Sequence, residues 1–230
     1  MMRYLLWGIV AAAAGARTAE AQQSGPIVIA VLPFEDRGSY GQDKEVFRAL
    51  EIGIPATFAA ELSRHPRVRV SDRARIGQAL QAQKLGPNAR VDAATAAKIG
   101  SEAGARYAIT GNFADFYGKF RVDARVVDVG SGQILKVVSN NEPNLQDRAD
   151  LSRIIQSLAE KVHAAVGLPA GGNAAGARAA NLPTDALTQY SLGLLYESQG
   201  DKAKAGEHYQ RALSTFPDYS EAREGMQRVR

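Results

Sequence analysis

The chain has 230 residues, of which 45% are hydrophobic and 23% charged, so it is long enough to bury one core and to carry an appendage. The formal net charge of +4 is too small to indicate a nucleic-acid-binding protein, and the arginines between positions 64 and 75 are interpreted as solvated side chains around one strand. The absence of cysteine excludes disulfides, thiol catalysis and a lipidated N-terminal cysteine.

The first 21 residues have the pattern of a secretory signal peptide. A short basic segment at residues 1–3 (MMR) precedes an apolar run at residues 4–14, and residues 19–21 (AEA) form an A-x-A cleavage site. The apolar run is well short of the roughly 20 residues that span a bilayer, which disfavours the alternative of a membrane anchor. We therefore expect cleavage after Ala21 and a soluble periplasmic protein without a transmembrane segment, with association to the outer membrane left open.

The first predicted strand covers residues 26–34 (PIVIAVLPF), a continuous apolar run that is typical of a central strand covered on both faces. A polar loop follows it, up to about Lys44. Because ligands bind at the carboxyl ends of central strands in open α/β sheets, Glu35, Asp36 and Arg37 in this loop are predicted as candidate partner-binding residues. The alternative is an ordinary solvated loop.

Three helices and a second strand are predicted next. Apolar residues recur at intervals of three and four from 46 to 64, which predicts a helix, and Pro55 predicts a kink or a fresh helix start within it. Residues 67–70 form a short strand, so this stretch predicts a βαβ unit with two parallel strands. The next two helices begin after Ser71 or Asp72 and after Asp92, whose side chains can cap them.

Residues 105–138 give the clearest strand signal in the chain. Between 119 and 129, apolar and charged residues alternate, as a strand with one buried face requires. Turn residues at 117–119 (YGK) and 130–132 (GSG) separate this strand from one on either side, which predicts an antiparallel meander of three strands. Together the elements predict an α/β fold: a mixed five-stranded sheet, made of a parallel βαβ unit followed by the antiparallel meander, packed with about four helices.

An amphipathic helix from about residue 146 to 166 completes this α/β domain, which we place at residues 26–166. Its apolar stripe is interpreted as core packing against the sheet, in preference to a helix lying on a membrane surface. Residues 167–182 are rich in glycine and alanine and lack periodicity, so they are predicted to form a flexible linker.

Residues 183–230 fit the spacing of a tetratricopeptide repeat. The matching positions are Leu192-Gly193, Tyr196, Ala205, Tyr209 and Pro217. The resemblance implies a small all-α segment of one repeat and a capping helix, with a protein-binding surface for which Gln189, Tyr190, Tyr196 and His208 are the candidates. Gln189 departs from the pattern, which prefers tryptophan, and Tyr190 beside it can compensate. One repeat cannot close a core, so it is expected to dock on its own domain, on another subunit or on a partner.

No catalytic, cofactor-binding or metal-binding set is predicted. The three histidines, His65, His163 and His208, lack metal-ligand spacing and are interpreted as structural or solvated. The sequence has no G-x-S-x-G motif, phosphate loop or dinucleotide fingerprint. We expect a protein that is not an enzyme, with the alternative of a hydrolase or ligand-binding enzyme that uses the loop after Phe34.

Four stretches resemble the CsgG family of curli assembly and transport proteins, with its FlgO and TolB amino-terminal-like relatives. They are VIAVLPFEDRG, AAELSRHPRVRVSDR, ARYAITGNF and FRVDARVVDVGSGQIL, and the resemblance covers residues 26–166. It implies an exported accessory or adaptor protein that assists curli-like surface-structure assembly through protein contacts in the cell envelope, with self-association left open. The alternative is a subunit of an outer-membrane secretion channel. The missing cysteine anchor, and tight turns where barrel-forming hairpins would be, favour the adaptor.

Overall fold

The computed structural model describes residues 25–41, 43–86, 89–140, 145–169 and 182–230. The predicted signal peptide and most of the predicted linker lie outside these ranges, within which no helix is long and apolar enough to cross a membrane. The strands are β1 (Ile27–Asp36), β2 (Val68–Val70), β3 (Tyr107–Phe116), β4 (Lys119–Asp128), β5 (Ile134–Ser139) and β6 (Gln146–Asp147). The helices are α1 (Lys44–Ser63), α2 (Arg73–Ala82), α3 (Ala93–Glu102), α4 (Leu151–Ala165), α5 (Thr184–Ser198), α6 (Lys202–Thr215) and α7 (Ser220–Val229), and a short 3-10 helix covers Arg148–Asp150.

One mixed sheet forms the centre of the fold. Its strand order is β2-β1-β3-β4-β5, and the two-residue strand β6 pairs with β4. β1 is parallel to both β2 and β3, whereas β3, β4 and β5 are antiparallel. The predicted mixed α/β sheet, with a parallel βαβ unit and an antiparallel meander, is confirmed. The sequence does not predict β6, because two residues are too few to show an alternation.

Helices cover both faces of the sheet. α1 and α4 pack on one face, where the core includes Phe34, Phe58 and Leu158. α2 and α3 pack on the other face, where the side chains are smaller, as at Ala30 and Ala96. β3 lies in the middle and is buried on both faces along nearly its whole length. The four helices predicted over this domain are present, but the predicted start of the last one, at about residue 146, is wrong: α4 begins at Leu151, after β6 and the 3-10 helix.

α1 contains a proline in its interior. Pro55 is buried, and α1 nevertheless runs from Lys44 to Ser63, so the fresh helix start that the sequence allows does not occur. A proline inside a helix costs about 3 kcal/mol, because it removes a hydrogen bond and crowds the preceding turn. α1 contacts β1 on one side and α5 on another, and burial on both sides offsets that cost.

The helices α5 to α7 form a helical segment (residues 183–230) that docks on α1 of the same chain. Gly53 of α1 faces Ser191 of α5, and a Cβ on Gly53 would lie 1.8 Å from the Ser191 hydroxyl oxygen. Ile52 and Ala56 of α1 also pack against the core of the helical segment. The segment therefore closes its core on its own α/β domain, which is one of the three docking alternatives that the sequence leaves open.

Candidate functional site

Three aromatic side chains cluster at one end of the sheet and form what we call the aromatic tip: Tyr40, Phe116 and Tyr117. Their exposed fractions are 51%, 39% and 84%, which is unusual for large apolar side chains. The Tyr40 ring stacks on that of Tyr117, with centroids 5.4 Å apart, and lies 6.0 Å from that of Phe116. The tip thus joins the loop after β1 to the β3–β4 hairpin.

The hairpin turn places Tyr117 in an unfavourable backbone conformation. Phe116 pairs with Lys119, so the loop has two residues, and both have positive φ: 55° at Tyr117 and 90° at Gly118. Two-residue hairpin loops with two positive φ angles prefer asparagine, aspartate or glycine. A bulky residue in the left-handed region costs about 1 to 2 kcal/mol. The turn therefore holds its most exposed aromatic side chain at an energetic cost, and such outliers concentrate at functional sites.

A single buried residue fixes both halves of the tip. Asp115 is fully buried, and its Oδ1 accepts a hydrogen bond of 2.6 Å from the N–H of Gly118 in the turn. Its backbone N–H donates to the Ser39 hydroxyl at 3.0 Å, and its carbonyl accepts from the N–H of Tyr40 at 2.8 Å. The loop after β1 and the hairpin are thus held by one residue.

Arg148 supplies the counter-charge for Asp115. Its guanidinium forms an ion pair with the Asp115 carboxylate, lies 3.4 Å from the carboxylate of Asp43, and stands 5.6 Å above the ring of Phe47. The backbone N–H of Arg148 donates to the carbonyl of Gly118 at 2.7 Å. Arg148 therefore ties the hairpin turn to the N-terminal end of α1.

The three candidate residues predicted in the loop after β1 lie beside the aromatic tip. Oδ1 of Asp36 accepts hydrogen bonds from the N–H of Gly38, and from the N–H and hydroxyl of Ser39, so this side chain shapes the loop that leads to Tyr40. Glu35 lies on the surface, 3.0 Å from Arg37 and 3.8 Å from a second arginine, Arg90. Partner binding by Glu35, Asp36 and Arg37 stays a prediction.

Three of the four candidates in the helical segment lie together on its surface. Nδ1 of His208 is 2.8 Å from Oε1 of Gln189, and the His208 ring stacks on Tyr196 with centroids 5.3 Å apart. The Tyr196 hydroxyl donates to Glu45 in the first turn of α1, and this hydrogen bond raises the pKa of Tyr196. Burial lowers the pKa of His208.

The fourth candidate, Tyr190, does not lie on the surface. Its ring packs against those of Tyr209 and Tyr219, at centroid distances of 6.0 and 5.0 Å, and burial raises its pKa to about 12. Tyr190 follows Gln189 in the sequence, but its side chain points into the helical core, because neighbouring side chains on a helix project about 100° apart. Tyr190 stabilises the segment and is only 6% exposed; partner binding by the four candidates stays a prediction.

A second cluster of titratable groups lies at the opposite, C-terminal end of α1. His65 and His163 are buried with ring centroids 5.1 Å apart, and Nε2 of His163 donates to the carbonyl of Leu62 at 3.1 Å. Burial lowers the pKa of His163. Burial also raises the pKa of Glu61 to about 7, although Arg64 lies 3.2 Å away. Within the described ranges no three His, Cys, Asp or Glu side chains are placed to hold a metal ion.

The sequence does not indicate the aromatic tip or its support. Asp115 and Arg148 are 33 positions apart, and nothing in a periodic pattern connects them. One local signal is available: tyrosine stands at residue 117, where a two-residue turn prefers asparagine or aspartate. A large aromatic residue at such a position indicates that its exposed side chain has a function.

Comparisons with known proteins identify only distant similarity. No protein-family model and no curated protein matches the chain. Among solved structures, the LpoB C-terminal domain from Salmonella enterica is 15% identical with a TM-score of 0.40, over 50% of this chain and 82% of that one. Lipoprotein GNA1162 from Neisseria meningitidis is 17% identical with a TM-score of 0.41, over 60% and 96%. TolB from Acinetobacter baumannii is 20% identical with a TM-score of 0.33, over 61% of this chain and 27% of that one.

These comparisons correct the family resemblances read from the sequence. The resemblance to the CsgG family is wrong, since no such family model matches and the similar structures named above are not of that family. The assignment of a tetratricopeptide repeat is likewise wrong, since no such family model matches. Residues 183–230 form three helices that no family model identifies as this repeat. The quoted motifs describe a buried strand, a βαβ unit and a hairpin, which unrelated mixed sheets share. TM-scores below 0.5 do not indicate a shared function.

Proposed function

We propose that this chain is a non-enzymatic accessory protein of the cell envelope that acts through protein contacts made at the aromatic tip. The signal-peptide pattern of residues 1–21 supports export to the periplasm. The observation that carries the proposal is Tyr117, which is 84% exposed on a turn that disfavours it.

Tyrosine at such a position suits a protein interface. Tyr and Trp are enriched among the residues that carry most of the binding energy of protein complexes, because they bury a large rigid surface. Tyr40 and Phe116 extend the patch beside Tyr117, and clustered exposed apolar side chains mark interaction sites.

The tip is also held rigid before any partner arrives. Asp115 and Arg148 bond to both of its halves, so little conformational freedom is left to lose on binding. A preorganised surface binds more tightly because it avoids the entropic cost of ordering.

The charged groups around the tip support a binding role over a catalytic one. A catalytic acid or base needs a carboxylate or imidazole that is free to exchange a proton with a substrate. The carboxylate of Asp36 accepts hydrogen bonds from the loop that follows it. The carboxylate of Asp115 is engaged by the Arg148 guanidinium and the N–H of Gly118. The geometry thus uses its carboxylates to build a surface.

Site-specific photocrosslinking in cells that produce the protein tests this function. A photoreactive phenylalanine analogue at Tyr117 is expected to form crosslinks to a small set of envelope proteins, and the same analogue at Gln78, an exposed position on α2, is expected to form none of them. Tyr117→Asn should abolish capture by a crosslinker placed at Tyr40 while the chain stays folded. Equal crosslinking from Tyr117 and Gln78, or capture at Tyr40 that survives Tyr117→Asn, would contradict the proposal.

A further inference from the structure

β5 is the last strand in the order of the sheet, and one of its edges has no partner strand among the described residues. Three apolar side chains on it are about half exposed: Ile134 at 47%, Leu135 at 49% and Val137 at 52%. Such an edge is a template on which another chain can add a strand.

The backbone of Val137 points away from the sheet. The N–H of Asn140 donates to the carbonyl of Val122 in β4 at 3.3 Å, so even-numbered residues at this end of β5 direct their backbone groups toward β4. Odd-numbered residues direct theirs outward, and Lys161 of α4 reaches the carbonyl of Ser139 from that side at 2.7 Å. Val137 therefore presents a hydrogen-bond donor and an acceptor to an added strand.

The surroundings of this edge are positively charged. Lys136 lies on β5, Arg125 pairs with Val137 from β4, and Lys161 borders the edge on α4. Neither Lys136 nor Arg125 forms an ion pair with any residue that the structure describes. On β4, the carboxylate of Asp123 is already held 3.0 Å from Arg121.

We propose that the β5 edge binds an acidic, extended segment of a partner protein as an added strand. Directly opposite residues of paired strands lie on the same face of a sheet. The segment would place an acidic residue opposite Lys136, with apolar residues on either side of it opposite Leu135 and Val137. Backbone hydrogen bonds to Val137 supply affinity, and the alternation of charge and apolarity supplies specificity.

The same features disfavour a second copy of this chain as the occupant. Two antiparallel β5 strands paired about Lys136 would place Lys136 opposite Lys136, and like charges directly opposite each other are destabilising. The register shift that leaves Leu135 without a partner on β4 also distorts the edge, as bulges do where proteins avoid pairing with themselves. This surface is separate from the aromatic tip and goes beyond the proposed function.

Two synthetic peptides test the proposal on residues 22–230, the chain that the predicted cleavage after Ala21 would leave. A fluorescein-labelled nine-residue peptide that alternates valine with glutamate is the probe, and one that alternates valine with lysine is the control. Fluorescence anisotropy is expected to show binding of the first and not the second. Lys136→Glu should reverse that preference, since it changes the sign of the charge that the peptide meets.

Variants at Val137 test whether the backbone edge is used. Val137→Pro removes the outward N–H without breaking a hydrogen bond to β4. It should weaken binding of the glutamate peptide at least about tenfold. Val137→Thr keeps the N–H and should bind within about twofold of the wild type. Tyr117→Asn should leave peptide binding unchanged, which separates this result from a failure at the aromatic tip. Equal binding of both peptides, unweakened binding by Val137→Pro, or a dimer that Val137→Pro dissociates would each overturn the proposal.

Discussion

The two ends of α1 handle buried charge in opposite ways. At the N-terminal end the carboxylate of Asp115 is matched by Arg148, and the hydrogen bonds of both residues fix the geometry of the aromatic tip. At the C-terminal end Glu61 and His163 are buried with weaker compensation of their charges. The pKa of Glu61 is raised and that of His163 is lowered, so both shifts favour the neutral form. One end of the helix is therefore built to hold a shape, and the other to respond to pH.

Arg148→Met is expected to produce the largest effect, because it breaks the fixed end. The substitution leaves the Asp115 carboxylate buried without a counter-ion, which should lower the free energy of unfolding by about 3 kcal/mol. Urea denaturation at pH 7 measures the loss. The double variant Asp115→Asn with Arg148→Met is the control, and it should recover much of the stability because no unpaired charge stays buried. A double variant no more stable than the single one would show that the ion pair is not what holds the tip.

Glu61→Gln sharpens the comparison at the responsive end. The folded state holds the Glu61 proton up to a pKa of about 7, so this group's contribution to stability is complete below about pH 4.5 and is lost as pH rises through 7. The glutamine variant should therefore be more stable than the wild type at pH 8, by about 2 kcal/mol, and nearly equal to it at pH 4.5. Thermal melts across this range are compared with those of Glu224→Gln, an exposed carboxylate on α7. An identical pH profile for both variants would contradict the assignment.

His163 should show a smaller effect of the opposite sign. Its pKa is lowered by burial, so its contribution to stability is present above the usual histidine range and is lost as pH falls through the folded value. His163→Gln should flatten the decline in melting temperature between pH 7 and pH 5, and glutamine can still donate to the carbonyl of Leu62. A decline as steep as that of the wild type would place the acid-sensitive group elsewhere.

Tyr117→Asn is expected to give the smallest change, and a favourable one. Asparagine suits the positive φ of residue 117, so the free energy of unfolding should rise by about 1 kcal/mol in urea denaturation. Tyr117→Phe keeps the unfavourable conformation and should match the wild type. If asparagine does not stabilise the fold, tyrosine carries no strain there and the argument from the turn to function loses its basis.

Local pattern was enough to predict most of the fold. The alternation along β4 predicts its buried face, and the side chains of Asp72 and Asp92 accept the hydrogen bonds expected of helix caps, from the N–H groups of Ala74 and Thr95, at 2.7 Å each. These features depend on residues within a few positions of each other. Sequence reasoning therefore recovers the sheet and the helices that cover it.

The candidate site depends on pairs that are far apart in the chain, and pattern does not identify them. Asp115 meets Arg148, and His65 meets His163, only once the helices have packed on the sheet. Periodicity tells which face of an element is buried, but it does not tell what that face will touch. Tyr190 shows the same limit, since sequence adjacency to Gln189 says nothing about which side of α5 it occupies.

The contact between Gly53 and Ser191 also makes residue 53 a marker that can be read from sequence alone. Any side chain at this position would collide with α5 as it is now placed. A related chain that carries alanine or a larger residue here is expected to lack the helical segment or to carry it at a greater distance from α1. Glycine at position 53 and small residues at position 191 should therefore appear together across homologues. Their co-variation would show which homologues carry the helical segment docked on α1.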